Sequence, residues 1–144
     1  MADVVKDLLK IKNRGVLTIE PGASVYDAIT KMADKQIGAL VVTEGNKVVG
    51  IITERDYARK VILQGKSSKS TSVREIMTGR VIYVQPNQKI EECMVLMTEK
   101  RIRHLPVLDG DMLVGMISIG DVVRAVISEK EFLIDQLTRY ISGY

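Results

Sequence analysis

Residues 50–56 read GIITERD, and residues 115–121 read GMISIGD. In both, a glycine opens a short apolar run, a hydroxyl residue follows, and an aspartate stands three positions beyond it. Sliding the chain by 65 positions lays residues 16–61 on 81–126 without a gap, with 14 of the 46 pairs identical. Val16 meets Val81, Pro21 meets Pro86, Met32 meets Met97, Ile37 meets Ile102, Gly45 meets Gly110, Gly50 meets Gly115, Asp56 meets Asp121 and Arg59 meets Arg124. A short helical lead precedes each copy, VKDLL at 5–9 and VREIM at 73–77, at an offset of 68, so the second join is three residues shorter. Self-similarity at a fixed spacing means one supersecondary unit built twice.

Each copy reads β-α-β-β-α. VLTI and VIYV are β-rich runs closed by a proline shortly after. Val25, Ala28, Ile29, Met32 and Ala33 then recur at helical spacing, and Ile90, Cys93, Met94 and Met97 repeat the stripe. Ser24 with Asp27 can cap the first of these helices. Hairpins follow, ALVV-EGNK-VVGII and HLPVL-DGD-MLVGMI, with glycine where the turn needs it. A second helix is expected to start at Thr53 and at Ser118. The resulting division is a first repeat with its lead over 1–64, a polar linker GKSSKSTS over 65–72, a second repeat over 73–127 and a terminal helix over 128–144. That last helix would open on a capping box from Ser128 to Glu131 and carry Leu133, Leu137, Tyr140 and Ile141 on one face, to be buried on the body or on a second subunit. One unit of about 60 residues is marginal alone, so the two are expected to pack together with pseudo-two-fold symmetry and quasi-symmetric clefts.

The chain has 144 residues, a net charge of +3 and 4% aromatic residues. That is too mild a charge for a dedicated nucleic-acid binder and too few rings for a single-strand stacking platform. A lone cysteine forms no disulfide within the chain and suits a reducing compartment. The N-terminus lacks the apolar core of a secretory signal and no run approaches a membrane span, so the expected location is the cytoplasm, away from membranes.

The repeated hydroxyl-x-x-aspartate pattern has two readings that use the same atoms. Thr53 and Ser118 are good N-caps, and an acid three residues on completes a capping box. The same helix start also offers free N–H groups and a carboxylate that can accept hydrogen bonds from a vicinal diol. A carboxylate has enough lone pairs for both tasks. Arg55, in a first helical turn where the macrodipole disfavours a cation, suits a bound phosphate or simply solvent beside Glu54 and Asp56.

Two β-α-β-β-α units, each ending in glycine, two apolar residues, Thr or Ser, two further residues and Asp, resemble a tandem pair of cystathionine-β-synthase (CBS) domains, the Bateman module. The match rests on GIITERD and GMISIGD with IGALVV and IRHLPV before them, and covers about residues 1–127. TERDYARKV is similar to small stand-alone members with no attached enzyme or channel. The resemblance implies an α/β (α+β) fold, a homodimer, and adenosine-containing ligands such as AMP, ATP, NAD or S-adenosylmethionine in the clefts between the repeats. It implies Asp56 and Asp121 as ribose acceptors, with Thr53 and Ser118 beside them. Val16 to Thr18 and Val81 to Tyr83 would be the adenine edges. On the strand IRHLPV, Arg103 and His104 would meet phosphate, with Pro106 beside them. Gly38 and Ala39 stand at the Arg103 and His104 positions of the first copy, so the two clefts should differ. Ligand bridging the repeats would shift their packing through its differential affinity for two arrangements.

Rival classes find less support. Cys93 lies on an apolar stripe and aligns with Ala28, and no close His/Cys set suggests a metal. The GKS at 65–67 lacks the P-loop glycine at position 60, which is Lys, and follows a helix. We therefore expect no catalytic centre. Lys66, Lys69 and Arg74, and Lys10, Lys12 and Arg14, read as solvated basic patches, with weak nucleic-acid binding as an alternative. A partner-binding scaffold with empty clefts is the other alternative.

Overall fold

The structure, a computed structural model, describes residues 2–13 and 15–142. Arg14 and the last two positions of the expected terminal helix lie outside the described residues. In chain order the elements are α1 (Val5–Lys12), β1 (Thr18–Ile19), α2 (Val25–Lys35), β2 (Ala39–Glu44), β3 (Lys47–Thr53) and α3 (Glu54–Tyr57), which runs into a π-helical turn over Ala58–Ile62. Then come α4 (Val73–Ile76), α5 (Ile90–Lys100), β4 (His104–Asp109), β5 (Met112–Ser118) and α6 (Ile119–Ile141). The mixed α/β architecture and the repeated helix–hairpin–helix order are as the sequence predicts.

The chain divides into two compact units. One holds Gly15–Ile82 with Asp111–Leu113; the other joins the N-terminal segment to Tyr83–Gly110 and to the chain from Val114 onward. The leads are thus exchanged relative to the repeats: α1 belongs to the unit built on the second repeat, and α4 to the unit built on the first. The backbone makes this exchange the same way twice. Val5 N–H donates to the Gln88 carbonyl at 2.9 Å, and Val73 N–H donates to the Ala23 carbonyl at 2.8 Å. Lys6 and Arg74 donate to the carbonyls of Pro86 and Pro21. Val5 and Val73 are fully buried by this docking, each contributing about 1.5–3 kcal/mol of burial.

The motif glycines explain themselves here. A Cβ on Gly50 would stand 2.6 Å from Met77 Sδ and 3.0 Å from the Thr78 carbonyl; one on Gly115 would stand 2.6 Å from Leu9 Cδ2. Leu9 and Met77 end the two leads at equivalent positions. Each glycine is the seat of a lead helix.

In the first unit, β1, β2 and β3 form one sheet, β1 parallel to β2 and β2 antiparallel to β3. Val25, Ala28 and Met32 of α2 pack on Leu40, Val42 and Ile52, with Val61, Val73 and Ile76 closing the core. In the second unit β4 and β5 pair, and Ile90, Cys93, Met97, Leu105, Val107, Ile117 and Val122 are buried with Val5 and Leu8. Gly45 (φ +63) and Gly110 (φ +61) hold the left-handed turns of the hairpins.

Two expectations need correction. The run VIYV forms no strand: only Val84 bridges Val107, in parallel, while VLTI yields the two residues of β1. Prolines at 86 and 21 end each run almost at once and have no N–H for a longer ladder. The terminal segment is helical but is no separate helix. Ser128 lies inside α6, which runs 23 residues from Ile119. No glycine or proline interrupts the stretch between Val122 and Ile141, so one helix propagates through. Among the described residues no helix is long and apolar enough to cross a membrane.

Candidate functional site

Both motifs form complete capping boxes. Asp56 N–H donates to Thr53 Oγ1 at 3.1 Å, and Thr53 N–H returns to Asp56 Oδ2 at 3.0 Å. Asp121 N–H donates to Ser118 Oγ at 3.2 Å, and Ser118 N–H returns to Asp121 Oδ2 at 2.8 Å. Within each box the first helical N–H donates to a carbonyl on the chain just ahead of the hairpin's first strand, Glu54 to Gly38 and Ile119 to Arg103. The cap reading therefore holds in both copies, and each box fixes a carboxylate at a strand-to-helix corner.

The surroundings of the two carboxylates differ. Asp121 Oδ2 also accepts from Lys12 Nζ at 2.9 Å, and Oδ1 accepts from Arg124 at 2.8 Å. Lys12 Nζ makes a second bond, to the Met116 carbonyl at 2.9 Å. The Asp121 side chain is only 11% exposed. Burial pushes its carboxyl up, but the Ser118 N–H and the Lys12 ammonium outweigh burial and hold it below the usual carboxylate range. A cavity of about 420 Å³ opens beside it between α1 and α6, bordered by Leu8, Ile11, Lys12, Asp121, Arg124 and Glu129. That size suits a small molecule. At the other motif, Asp56 Oδ2 takes both Thr53 groups, and Oδ1 lies 3.4 Å from Lys60. Lys60 in turn donates to the Ile76 carbonyl of α4 at 3.0 Å.

His104 opens β4 in the same unit as Asp121. Burial holds its pKa below the ordinary imidazole range; the Lys12 charge adds to this, Asp121 opposes it and Arg103 contributes slightly. Asp121, Ser118, His104 and Arg103 are thus gathered in one unit. Arg103 is exposed, as is Arg55 beside Asp56. Other expected contacts are placed differently. Pro106 is buried in β4, and its carbonyl accepts the Val84 N–H at 3.0 Å. Thr18 lies within the β1–β2 ladder, and its carbonyl accepts from Lys31 Nζ at 2.5 Å. Val16 and Val81 are partly buried outside any strand, and Tyr83 is exposed.

Sequence reasoning missed Lys12, Lys60 and Arg124 as partners of the motif aspartates. Arg124 carried a signal, since it aligns with Arg59 one helical turn past the aspartate. Lys12 carried none that points to residue 121; its reach follows from the exchanged lead. Cys93 is buried, and burial pushes its thiol up to about 11, the state of an inert core thiol. Among the described residues no group of three His, Cys, Asp or Glu could hold a metal ion.

The CBS domain model matches residues 5–62 and 73–128. The chain belongs to the CBS domain family. It is 46% identical over 148 residues to the CBS domain-containing protein CBSX3, mitochondrial, of Arabidopsis thaliana, covering 99% of this chain and 72% of that one. A CBS-domain structure from Burkholderia ambifaria MC40-6 superposes with a TM-score of 0.84 at 56% identity, covering 87% of this chain and 94% of its own. The CBS domain pair of protein MJ0100, solved with 5′-methylthioadenosine and S-adenosyl-L-methionine, superposes with a TM-score of 0.79 at 27% identity, covering 90% and 99%. The chain carries a CBS pair, as these small CBS-domain proteins do.

Proposed function

We propose that this CBS pair is a non-catalytic sensor that binds adenosine-containing ligands at its two motif aspartates and passes the occupancy to a partner. One observation carries the reading: each copy fixes a carboxylate at a strand-to-helix corner, with lone pairs left for a diol after its cap is made. The adenosine ligands held by the MJ0100 pair support the ligand class. Asp56 and Asp121 take the ribose diol, and Thr53 and Ser118 frame it. Arg55, Arg103 and His104 supply charge or hydrogen bonds to phosphate, and the chain at Val16, Thr18, Val81 and Tyr83 borders the base. AMP, ATP, NAD and S-adenosylmethionine are the ligands to try, and no metal enters the scheme.

The working form is a homodimer in the cytoplasm. Its support is α6, where every described residue from Glu131 onward is exposed, including Phe132, Leu133, Ile134, Leu137, Tyr140 and Ile141. An apolar helix standing in water gains from a second copy. Sedimentation at micromolar concentration should show a dimer; a monomer removes this part of the reading.

A thermal-shift panel with AMP, ADP, ATP, NAD and S-adenosylmethionine, controlled by ribose and inorganic phosphate, tests the ligand reading. A ligand at 100 times its dissociation constant adds about 2.7 kcal/mol, which moves Tm by roughly 5–11 °C at this size. A selective upward shift supports the sensor. No shift with any of them leaves the two motifs as helix caps on a scaffold.

A further inference from the structure

In both units a lysine ammonium joins the docked lead helix to the motif aspartate, yet the two lysines come from different places. In the second unit it is Lys12, at the end of α1, which reaches Asp121 Oδ2 at 2.9 Å and the Met116 carbonyl at 2.9 Å. In the first unit it is Lys60, in the π-helical turn after α3, which lies 3.4 Å from Asp56 Oδ1 and donates to the Ile76 carbonyl at the end of α4. The repeat equivalent of Lys60 is Ala125, and the lead equivalent of Lys12 is Arg80. Among the described residues Arg80 forms no ion pair, and it is exposed. One link between lead helix and carboxylate has therefore been built twice from non-equivalent residues, which points to the link itself.

We propose that Lys12 is a latch: it holds α1 on Asp121, and a ribose diol binding there displaces it and loosens the lead helix. The proposal rests on the adenosine-binding reading above. Its basis is the occupancy of the carboxylate. Oδ2 already takes the Ser118 N–H and Lys12, and Oδ1 takes Arg124. A vicinal diol brings two hydroxyl donors to the same two oxygens. Arg124 is 73% exposed and swings away easily; Lys12 is 25% exposed and held by two bonds. Lys12 is therefore the group the diol must move. The Lys60 contact is longer and its side chain 46% exposed, so the Asp56 site is latched more weakly.

The test uses the full chain and adenosine, which has the diol but no phosphate that Lys12 could attract. Lys12→Met keeps the apolar stem and removes the ammonium. NMR titration of wild type and K12M with adenosine, and with 2′-deoxyadenosine as a control lacking the diol, measures affinity at the Asp121 site. Amide exchange over Leu9–Lys12 reports the latch. We expect K12M to bind adenosine at least about threefold more tightly, as loss of a competing charge-assisted bond predicts. Adenosine should speed exchange at the end of α1 in wild type and change it little further in K12M, where it is already fast. Adenosine that binds wild type and K12M equally, or K12M more weakly, overturns the latch and leaves the sensor standing. Adenosine and AMP that bind neither protein remove the sensor reading and the latch with it.

Discussion

The two motif sites share a sequence pattern and a capping box but not an electrostatic setting. Asp121 is gripped by a lysine from a helix that begins the chain, by an arginine on its own helix and by a backbone N–H. Asp56 has its own threonine and a loosely placed Lys60. Near Asp121 stand His104 and Arg103; at their repeat positions stand Ala39 and Gly38. A duplicated unit preserves what the backbone needs, the cap and the seat for the lead helix. It frees the side chains around them to diverge.

The largest expected effects concern the two seats. Gly50→Val and Gly115→Val should each destabilise by about 1–3 kcal/mol or more in urea unfolding, from overpacking. Gly50→Val should be the worse, because its Cβ meets the Thr78 carbonyl as well as the flexible end of Met77, whereas the three atoms nearest a Cβ on Gly115 all belong to the Leu9 side chain. Equal costs would mean that both leads yield alike.

Next come the carboxylates. Asp121→Asn should cost about 1–2 kcal/mol through its charged hydrogen bonds, and Asp56→Asn less than about 1 kcal/mol. The Asp121 carboxyl sits below its unfolded value, so the stability it adds is present above about pH 4 and is lost as pH falls through the folded value. Unfolding curves of wild type and D121N should therefore converge as pH drops below that range. A constant gap down to pH 2 would contradict the assigned pairing.

His104 gives a smaller effect in a higher window. Its folded pKa is depressed, chiefly by burial, so the unfolded chain binds a proton more readily and stability falls as pH drops below about 6.5. His104→Gln should flatten the stability profile between about pH 7 and pH 5. An unchanged slope would assign the loss elsewhere. The smallest effect is expected from ending the chain at Lys130. Every described residue removed is exposed, so monomer stability should move by less than about 0.5 kcal/mol, while sedimentation should show dissociation.

Much of this was legible in the sequence. The 65-residue repeat, the stripes of α2 and α5, the glycine turns and the capped helix starts at Ser24, Thr53 and Ser118 are local or periodic signals, and each appears where its spacing placed it. The exchange of leads was not legible, because short helices of eight and four residues carry no mark of which repeat they will cover. The glycines at 50 and 115 carried half of that answer. They looked like parts of a motif, and their other role appears only when Met77 and Leu9 are seen resting on them. The same gap hid Lys12, 109 positions from Asp121. VIYV was misread because β-propensity says nothing about whether a partner strand offers more than one rung, and Val84 finds only Val107.

The central claim is that the motif aspartates hold a ribose diol, and calorimetric titration of wild type, D56N and D121N with whichever adenosine ligand shifts Tm tests it most directly. The account predicts that each substitution removes the binding at its own site while the variant still unfolds cooperatively, with the sites distinguishable in affinity. Undiminished binding heat in both variants would contradict it.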